Sequence, residues 1–164
     1  MTLLERYDTV LHALLAEVTA QYGDRLVAVV VFGSVGRGTP REDSDIDVLI
    51  VGRDLPRGRT LRVEEFLSVE ARLEGPLQAV PGDGTPVSLS PVFKTPEEVE
   101  RGSPLFLDMV EDARILYDPR GFFAAYLDRL RARLRELGAR RVRAGNAWYW
   151  ELKPDLRPGE VFSL

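Results

Sequence analysis

Continuous apolar runs and helical repeats alternate along the first half of the chain. Leu26–Phe32 and Val48–Val51 are apolar throughout and rich in valine, which is typical of strands buried on both faces. In residues 3–21 and 59–73, apolar side chains recur every three or four positions, and this spacing predicts amphipathic helices. The first half therefore predicts buried strands alternating with helices.

Shorter elements follow in the second half. Residues 86–93 predict a third strand, and Thr95-Pro96 followed by Glu98 is a capping box that predicts a helix start. A helix over 105–110, a short strand over 113–117 and a helix from Asp118-Pro119 to Leu137, ended by Gly138, complete the predicted elements. Together they predict an α/β (α+β) fold.

A glycine-serine turn and a pair of aspartates stand between the two buried strands. Gly33-Ser34 ends the first apolar run, and ten residues separate Ser34 from Asp45-Ile46-Asp47, which opens the second. Alternation along a strand places Asp45 and Asp47 on the same face, about 7 Å apart. Two carboxylates at that spacing beside a glycine-rich turn suit a magnesium ion that carries a triphosphate. The pattern therefore indicates a phosphoryl- or nucleotidyl-transfer site.

A purely structural role for these residues is the alternative interpretation. Gly-Ser pairs are common in turns, and Ser-Asp-x-Asp often caps or solvates the end of a strand. Asp47, however, lies directly against Val48–Val51, and a charge at the mouth of a buried strand is costly unless a cation neutralises it. The combination of turn and aspartates favours the functional interpretation.

Gly33-Ser34 and Asp45-x-Asp47, with Arg37-Gly38 between them, resemble the signature of the polymerase-β-like nucleotidyltransferase superfamily, most closely its minimal nucleotidyltransferase (MNT) branch. The resemblance is specific over residues 25–52 and extends by element order to about residue 93. It implies a nucleotidyltransferase-type short mixed β-sheet flanked by helices, with a helical C-terminal extension. It also implies Mg²⁺ (or Mn²⁺) and an NTP donor, expected to be ATP, whose nucleoside monophosphate passes to an acceptor.

The resemblance assigns nucleotide binding to four residues of the motif. Gly33 lets the backbone approach the phosphates, and Ser34 offers them its hydroxyl and its backbone N–H. Arg37 adds positive charge near the triphosphate or the acceptor. Gly38 lets the chain turn back.

Asp45 and Asp47 are, by the same resemblance, the catalytic and metal-binding residues, and the sequence departs from the family beside them. Family enzymes carry a third carboxylate on a neighbouring strand, which completes a second metal site and helps to deprotonate the acceptor. The matching strand here carries Ser88 and Ser90 on the face where that acid is expected. Asp83, in the preceding turn, is a weaker substitute. A missing base costs about 10²–10⁴ in rate, so slow or lost turnover is expected as the alternative.

Length and composition exclude several classes of protein. The 164 residues fit one domain, expected at 1–118, with a C-terminal helix and aromatic tail at 119–164. The chain has no cysteine and one histidine, His12, which excludes thiolate metal sites, disulfides and histidine-based catalysis. The first residues do not resemble a secretory signal and no apolar run approaches ~20 residues, so we expect a cytoplasmic protein without membrane contact.

Seven of the fifteen residues from Arg129 to Arg143 are arginine. A solvated helix face is the simpler interpretation, and contact with RNA, a nucleotide or an acidic partner is the alternative, although a net charge of −4 gives no overall attraction to nucleic acid. Three aromatic residues follow: Trp148, Tyr149 and Trp150. Their rings either stack on bases or anchor the tail Ala147–Leu164 on the domain or on a second subunit, and the second-subunit alternative implies a homo-oligomer.

The leading hypothesis is a nucleotidyltransferase that binds Mg²⁺-NTP and transfers NMP to a hydroxyl of a protein or small molecule. Members of the MNT branch often accompany a small helical HEPN-type toxin, so an antitoxin role in a HEPN/MNT pair is a further expectation. The alternative is a catalytically weakened module that binds a nucleotide or a partner. Ser88 and Ser90 favour that alternative, whereas the intact Asp45 and Asp47 oppose it. RNA binding through the arginine cluster has the least support.

Overall fold

The two apolar runs form the central strands of a four-stranded sheet in the computed structural model, which describes residues 1–83 and 85–164. β1 (Leu26–Phe32) is buried at every position and pairs antiparallel with β2 (Ile46–Gly52). β3 (Leu89–Lys94) lies parallel to β2, and β4 (Arg114–Tyr117) lies antiparallel to β1. The strand order is β3-β2-β1-β4, which confirms the expected mixed sheet.

The described residues form six α-helices around this sheet. They are α1 (Leu3–Tyr22), α2 (Gly33–Gly36), α3 (Arg59–Gln78), α4 (Pro96–Arg101), α5 (Leu105–Asp112) and α6 (Phe122–Leu137). The predicted capping box at Thr95 is present and starts α4, with Glu98 at its third position. Within the described part of the chain, none of these helices combines the length and the apolar character that crossing a membrane requires.

Alternation along β1 and β2 divides the core into two layers. Val29 of β1 and Val48 of β2 belong to a buried cluster with α1 and α3. Val30 and Leu49, their neighbours along the strands, belong to a second cluster with α5 and α6. Because helices cover both faces, the central strands must be apolar at every position, which is why they appear in the sequence as continuous runs.

The start of β3 lies later than the sequence pattern predicts. Residues 86–88 do not join the sheet as strand, because the backbone N–H of Val87 donates to Leu77 O at 3.2 Å, at the end of α3. The carbonyl of Ser88 accepts from Ile46 N at 2.9 Å, and the ladder with β2 begins there. Gly84, in the predicted turn that carries Asp83, lies outside the described residues.

The last helix also begins later than predicted. Asp118 and Pro119 open a turn instead, in which Gly121 N donates to Asp118 O at 3.0 Å. Gly121 then takes a left-handed conformation, with φ 65°, at the N-cap of α6. The Asp118 carboxylate accepts from Ala124 N at 2.9 Å, so it caps the helix from outside rather than starting it.

A β-hairpin replaces the expected aromatic tail. Gly138 ends α6 as predicted, with φ 70°, and β5 (Arg140–Ala144) and β6 (Ala147–Glu151) follow it as an antiparallel pair. Three consecutive aromatic residues, Trp148 to Trp150, form most of β6, and aromatic side chains favour strands. The C-terminal extension is therefore helical only as far as Leu137, and the last three arginines of the cluster belong to β5.

Candidate functional site

The end of β1, the α2 turn and the start of β2 bring the glycine-serine turn against the second aspartate. Phe32 and Asp47 are directly paired across the two strands. Gly33 follows Phe32 with φ 66°, a conformation that side-chain-bearing residues rarely adopt. A Cβ at this position would lie far inside van der Waals contact of Asp47 Oδ2. Glycine is therefore required twice over, by its φ and by the carboxylate beside it.

The two aspartates lie at the mouth of β2 with different exposure. Asp47 is half-buried, on the second residue of the strand, and Asp45 is exposed, one residue before it. Their common side of the strand stays a prediction from alternation, because Asp45 precedes β2. The chain before Asp45 is held by α1, because the buried hydroxyl of Tyr7 lies 2.9 Å from Arg41 O and 2.7 Å from Ser44 O.

The surroundings of Asp47 disfavour its negative charge, so a bound cation would stabilise the charged carboxylate. Burial raises the pKa of the Asp47 carboxyl, and the nearby charge of Asp45 raises it further. The guanidinium of Arg37 opposes both effects and lowers the pKa. A divalent ion between the two carboxylates would relieve both the burial cost and the repulsion.

Serine occupies the place beside Asp47 where the family carries its third acid. In the parallel ladder, Ser90 is the direct partner of Asp47, and Ser88 lies just before β3, where its carbonyl accepts from Ile46 N. Asp83 lies across a groove of about 490 Å³ that Asp45 and Ser88 also line. Its carboxylate is exposed and accepts from Thr85 N at 2.9 Å. Among the described residues no three His, Cys, Asp or Glu side chains group to form a metal site.

Asp45 and Asp47 nevertheless fit a magnesium ion. Mg²⁺ in nucleotide sites is held by one or two carboxylates together with substrate phosphates and water. The chemistry of this donor pair, two oxygen ligands beside a glycine turn, meets that requirement for one ion. It does not supply the third carboxylate that a second ion would need.

Arg37 makes an ion pair that the sequence pattern did not indicate. Its Nη1 lies 2.8 Å from Oδ2 of Asp112, a buried carboxylate at the end of α5. The sequence motif thus indicates neither Asp112 nor Tyr7, although both contact residues of the site. Tyr7 was visible only as one apolar position of an amphipathic helix, and Asp112 carried no signal in its spacing.

Most of the arginine cluster is engaged within the chain itself. Arg129 pairs with Glu100, Arg131 donates to Val110 O, and Arg133 donates to Ser163 O. On the hairpin, Trp150 donates to Asp108 at 3.2 Å, whereas Trp148 remains 52% exposed. These contacts favour the interpretation of a solvated and internally paired surface over an RNA contact.

The sequence model described as "Nucleotidyltransferase domain" matches residues 13–117, which include the turn, both aspartates and all four strands of the main sheet. The chain belongs to the nucleotidyltransferase domain family. It is therefore an enzyme of the nucleotidyltransferase class, and its sheet of β1 to β4 is the part that the family shares.

Two relatives within this class are similar to the chain. "Putative protein adenylyltransferase MJ1305" of Methanocaldococcus jannaschii is 28% identical over 126 residues, which cover 76% of this chain and 80% of the relative. "Protein adenylyltransferase MntA" of Thermococcus cleftensis is 35% identical over 68 residues, 41% of this chain and 67% of the relative. Both names specify transfer of an adenylyl group to protein.

Solved structures resemble the chain at lower identity. A toxin-antitoxin crystal structure with AMP-PNP has a TM-score of 0.48 and 16% identity, covering 76% of this chain and 90% of the solved one. A complex of a tri-AMPylated Shewanella oneidensis HEPN toxin with an MNT antitoxin has a TM-score of 0.45 and 13% identity, covering 83% and 89%.

Proposed function

We propose that the chain binds Mg²⁺-ATP at Gly33, Ser34, Arg37 and Gly38 and transfers AMP to a hydroxyl group of a protein. The observation that carries the proposal is the contact of the glycine turn with Asp47, which places that carboxylate directly beside the backbone of Gly33, with Asp45 two residues earlier in the chain. The membership in the nucleotidyltransferase family supports the reaction class, and the names of the two relatives support adenylyl transfer to protein.

The residues of the turn bind and orient the donor in this proposal. The backbone at Gly33 and the hydroxyl of Ser34 meet the β- and γ-phosphates, and Arg37 adds positive charge there. Asp45 and Asp47 hold Mg²⁺, which when bound polarises the α-phosphate and stabilises the departing pyrophosphate. The acceptor oxygen forms its bond to the α-phosphorus while the bond to the pyrophosphate oxygen breaks, so atoms and charge balance as pyrophosphate leaves.

Activation of the acceptor is the weak step. Ser90 stands beside Asp47 where the family has a base, and a serine hydroxyl does not accept a proton at neutral pH. The hydroxyl proton of the acceptor then passes to a carboxylate of Asp45 or Asp47, or to water. We expect slow turnover, lower by about 10²–10⁴ than with a positioned base.

The partner proposed is a small helical HEPN-type protein, for which this chain serves as antitoxin in the cytoplasm. The support for that partner is the MNT resemblance of residues 25–52. A weakened binding module remains the second candidate function, because Ser88 and Ser90 replace the family's acid.

Transfer of label from α-³²P-ATP to protein in a cell extract with Mg²⁺ tests the proposal. Asp47→Ala should abolish labelling of any acceptor, whereas Asp24→Ala, an exposed carboxylate at the opposite end of β1, should leave it unchanged. Labelling that survives Asp47→Ala contradicts the site. ATP binding in calorimetry without transfer to any acceptor supports the binding module instead.

A further inference from the structure

Asp112 is the one charged residue among those the structure describes that is buried, with 4% of its surface exposed. It is the last residue of α5, where the helix dipole disfavours a negative charge. Neither capping nor solvation therefore explains a carboxylate at this position. A buried carboxylate persists only when cations and hydrogen bonds compensate it.

Two arginines supply that compensation, one before Asp112 in the sequence and one after it. Arg37, in the nucleotide turn, places Nη1 2.8 Å from Asp112 Oδ2. Arg141, on β5, donates to Oδ1 and Oδ2 at 3.3 Å each. The side chain of Arg141 is 14% exposed, and that of Arg37 is 42% exposed. Arg141 is thus the internal partner, while Arg37 keeps most of its donors free toward solvent.

The backbone of the turn is fixed by the same residue. Gly36 lies so close to α5 that a Cβ on it would stand 2.5 Å from the carbonyl oxygen of Asp112 and 2.7 Å from that of Val31. Asp112 therefore meets the turn twice, by close packing of its carbonyl against Gly36 and by the ion pair of its carboxylate with Arg37.

The β5–β6 hairpin contacts the site through the hydrogen bonds of Arg141 with the Asp112 carboxylate. Arg141 is held on its outer side by Trp148, whose ring centre lies 5.0 Å from the guanidinium carbon, and by Glu111 at 3.4 Å. The family match ends at residue 117, so the hairpin is an addition to the shared domain. By sharing the charge of Asp112, Arg141 leaves Arg37 less neutralised and better able to meet an anion.

We propose that Asp112 is a positioning residue for ATP: it holds Arg37 toward the triphosphate, and Arg141 of the β5–β6 hairpin completes that support. The inference rests on the proposed function, since Arg37 has this task only if a triphosphate binds at the turn. It adds two residues, one of them outside the family match, to the machinery of nucleotide binding.

ATP affinity measured by calorimetry, with and without Mg²⁺, tests the proposal in the full chain. Asp112→Asn should weaken ATP binding by about tenfold, the low end of what removal of a supporting partner usually costs. Glu111→Gln, which removes a neighbouring charge that touches Arg141 but not Arg37, should leave the affinity near that of the wild type. An Asp112→Asn affinity equal to the wild type overturns the inference while ATP binding itself stands.

A double-mutant cycle separates positioning from folding. On an Arg37→Ala background, Asp112→Asn should cause no further loss of ATP affinity, because Asp112 acts through Arg37. A full additional loss there overturns the positioning role. If Asp112→Asn does not fold, Arg141→Gln serves instead, with a smaller loss that is likewise absent on the Arg37→Ala background. Absence of ATP binding by the wild type overturns the proposed function, and the inference with it.

Discussion

At the scale of single residues, Gly33 and Asp47 exclude any side chain between them. Gly33→Ala would place a methyl group against Asp47 Oδ2 and also force a positive φ on alanine. We expect about 1–3 kcal/mol of lost stability from the backbone strain and about 100-fold lower transfer from the displaced carboxylate. Adenylylation rates and chemical denaturation measure the two effects.

Gly121→Ala is the matched control for that variant. Gly121 also has a positive φ, 65°, but a Cβ there meets nothing within 4 Å, and the residue lies outside the nucleotide turn. Its stability should fall by a similar amount, whereas transfer should fall far less. Equal losses of transfer in both variants would show that strain alone, and not the contact with Asp47, explains the requirement for glycine.

The direction in which the pKa of Asp47 shifts implies that its charged carboxylate destabilises the nucleotide-free protein. Because burial and Asp45 raise this pKa above its ordinary value of 3.8, the charged form is disfavoured in the folded chain. The destabilisation is absent below that value and grows as pH rises through the folded pKa. Asp47→Asn should therefore raise the melting temperature at pH 7 while abolishing transfer.

Thermal unfolding across pH checks this sign. The advantage of Asp47→Asn over the wild type should vanish below about pH 3.8, where both side chains are neutral. Ser90→Asn, which changes the direct ladder partner without removing a charge, controls for the amide itself. If Asp47→Asn is less stable than the wild type at pH 7, other groups of the protein already neutralise the charge of Asp47.

The proximity of Gly33 and Asp47 could be predicted from the sequence because both lie at strand ends only fourteen positions and one turn apart. Strand alternation alone then fixed their relation to Asp45. Asp112 could not be predicted in this way, because its partners Arg37 and Arg141 are distant in sequence and meet only after α5 packs on the turn. Side-chain pairs between residues distant in sequence depend on tertiary packing, which the periodic pattern of apolar residues does not specify.

At the scale of elements, α1 positions the segment that carries Asp45. The hydroxyl of Tyr7 reaches the carbonyls of Arg41 and Ser44. Tyr7→Phe should cost about 1–3 kcal/mol, because it takes the hydroxyl donor away from the part-buried carbonyl of Ser44, whereas Arg41 O still accepts from Ser44 N. It should also raise the Mg²⁺ concentration needed for half-maximal ATP binding, since Asp45 follows Ser44 directly.

Tyr126→Phe is the matched control, because no hydrogen bond of that hydroxyl occurs among the described residues, although its ring packs on Phe106. Its stability and its Mg²⁺ requirement should stay near those of the wild type. A Tyr7→Phe variant with reduced stability but an unchanged Mg²⁺ requirement would limit Tyr7 to a structural role.

An ion pair between Arg62 of α3 and Glu98 of α4 makes the stability of the protein depend on pH. Arg62 of α3 donates to both oxygens of Glu98 at 2.7 and 3.0 Å, and this hydrogen bonding lowers the pKa of Glu98 below its ordinary value of 4.5. A lowered pKa stabilises the folded chain above pH 4.5, and that stability is lost as pH falls through the folded pKa.

Glu98→Gln should therefore reduce the free energy of unfolding by about 1–2 kcal/mol at pH 7. The difference from the wild type should shrink as the pH falls below 4.5. Glu97→Gln, an exposed neighbour in the same helical turn, should show little of this difference at any pH. A pH-independent difference for Glu98→Gln would assign its effect to geometry instead of charge.

Element types could be read from periodicity more reliably than their ends. The capping box at Thr95 placed the start of α4 correctly because the signal is local. The starts of β3 and α6 shifted, since Val87 pairs with α3 and Asp118 caps from a distance. In the hairpin, arginines at 140, 141 and 143 looked like a continuation of a helical charge pattern, although Gly138 had already ended the helix.

At the scale of the whole molecule, α6 belongs to the core that covers one face of the sheet. It contributes four buried apolar side chains to the cluster around β1 and β2: Phe123, Leu127, Leu130 and Leu134. The segment 139–164 contributes only partly buried ones, at Ala139, Trp150 and Leu152. We therefore propose that residues 1–118 do not fold without α6, so the boundary expected at residue 118 does not separate two independently folding domains.

Two shortened chains test this assignment. A chain ending at Leu137 or Gly138 should unfold cooperatively at a lower temperature, with ATP affinity reduced as in Arg141→Gln because Arg141 is gone. A chain ending at Asp118 should not fold, because each of the four side chains of α6 contributes about 1.5–3 kcal/mol by burial and a domain has about 5–15 kcal/mol in total. Cooperative unfolding of that shorter chain in circular dichroism would make residues 1–118 an independent domain, and α6 a covering that the nucleotide site does not need.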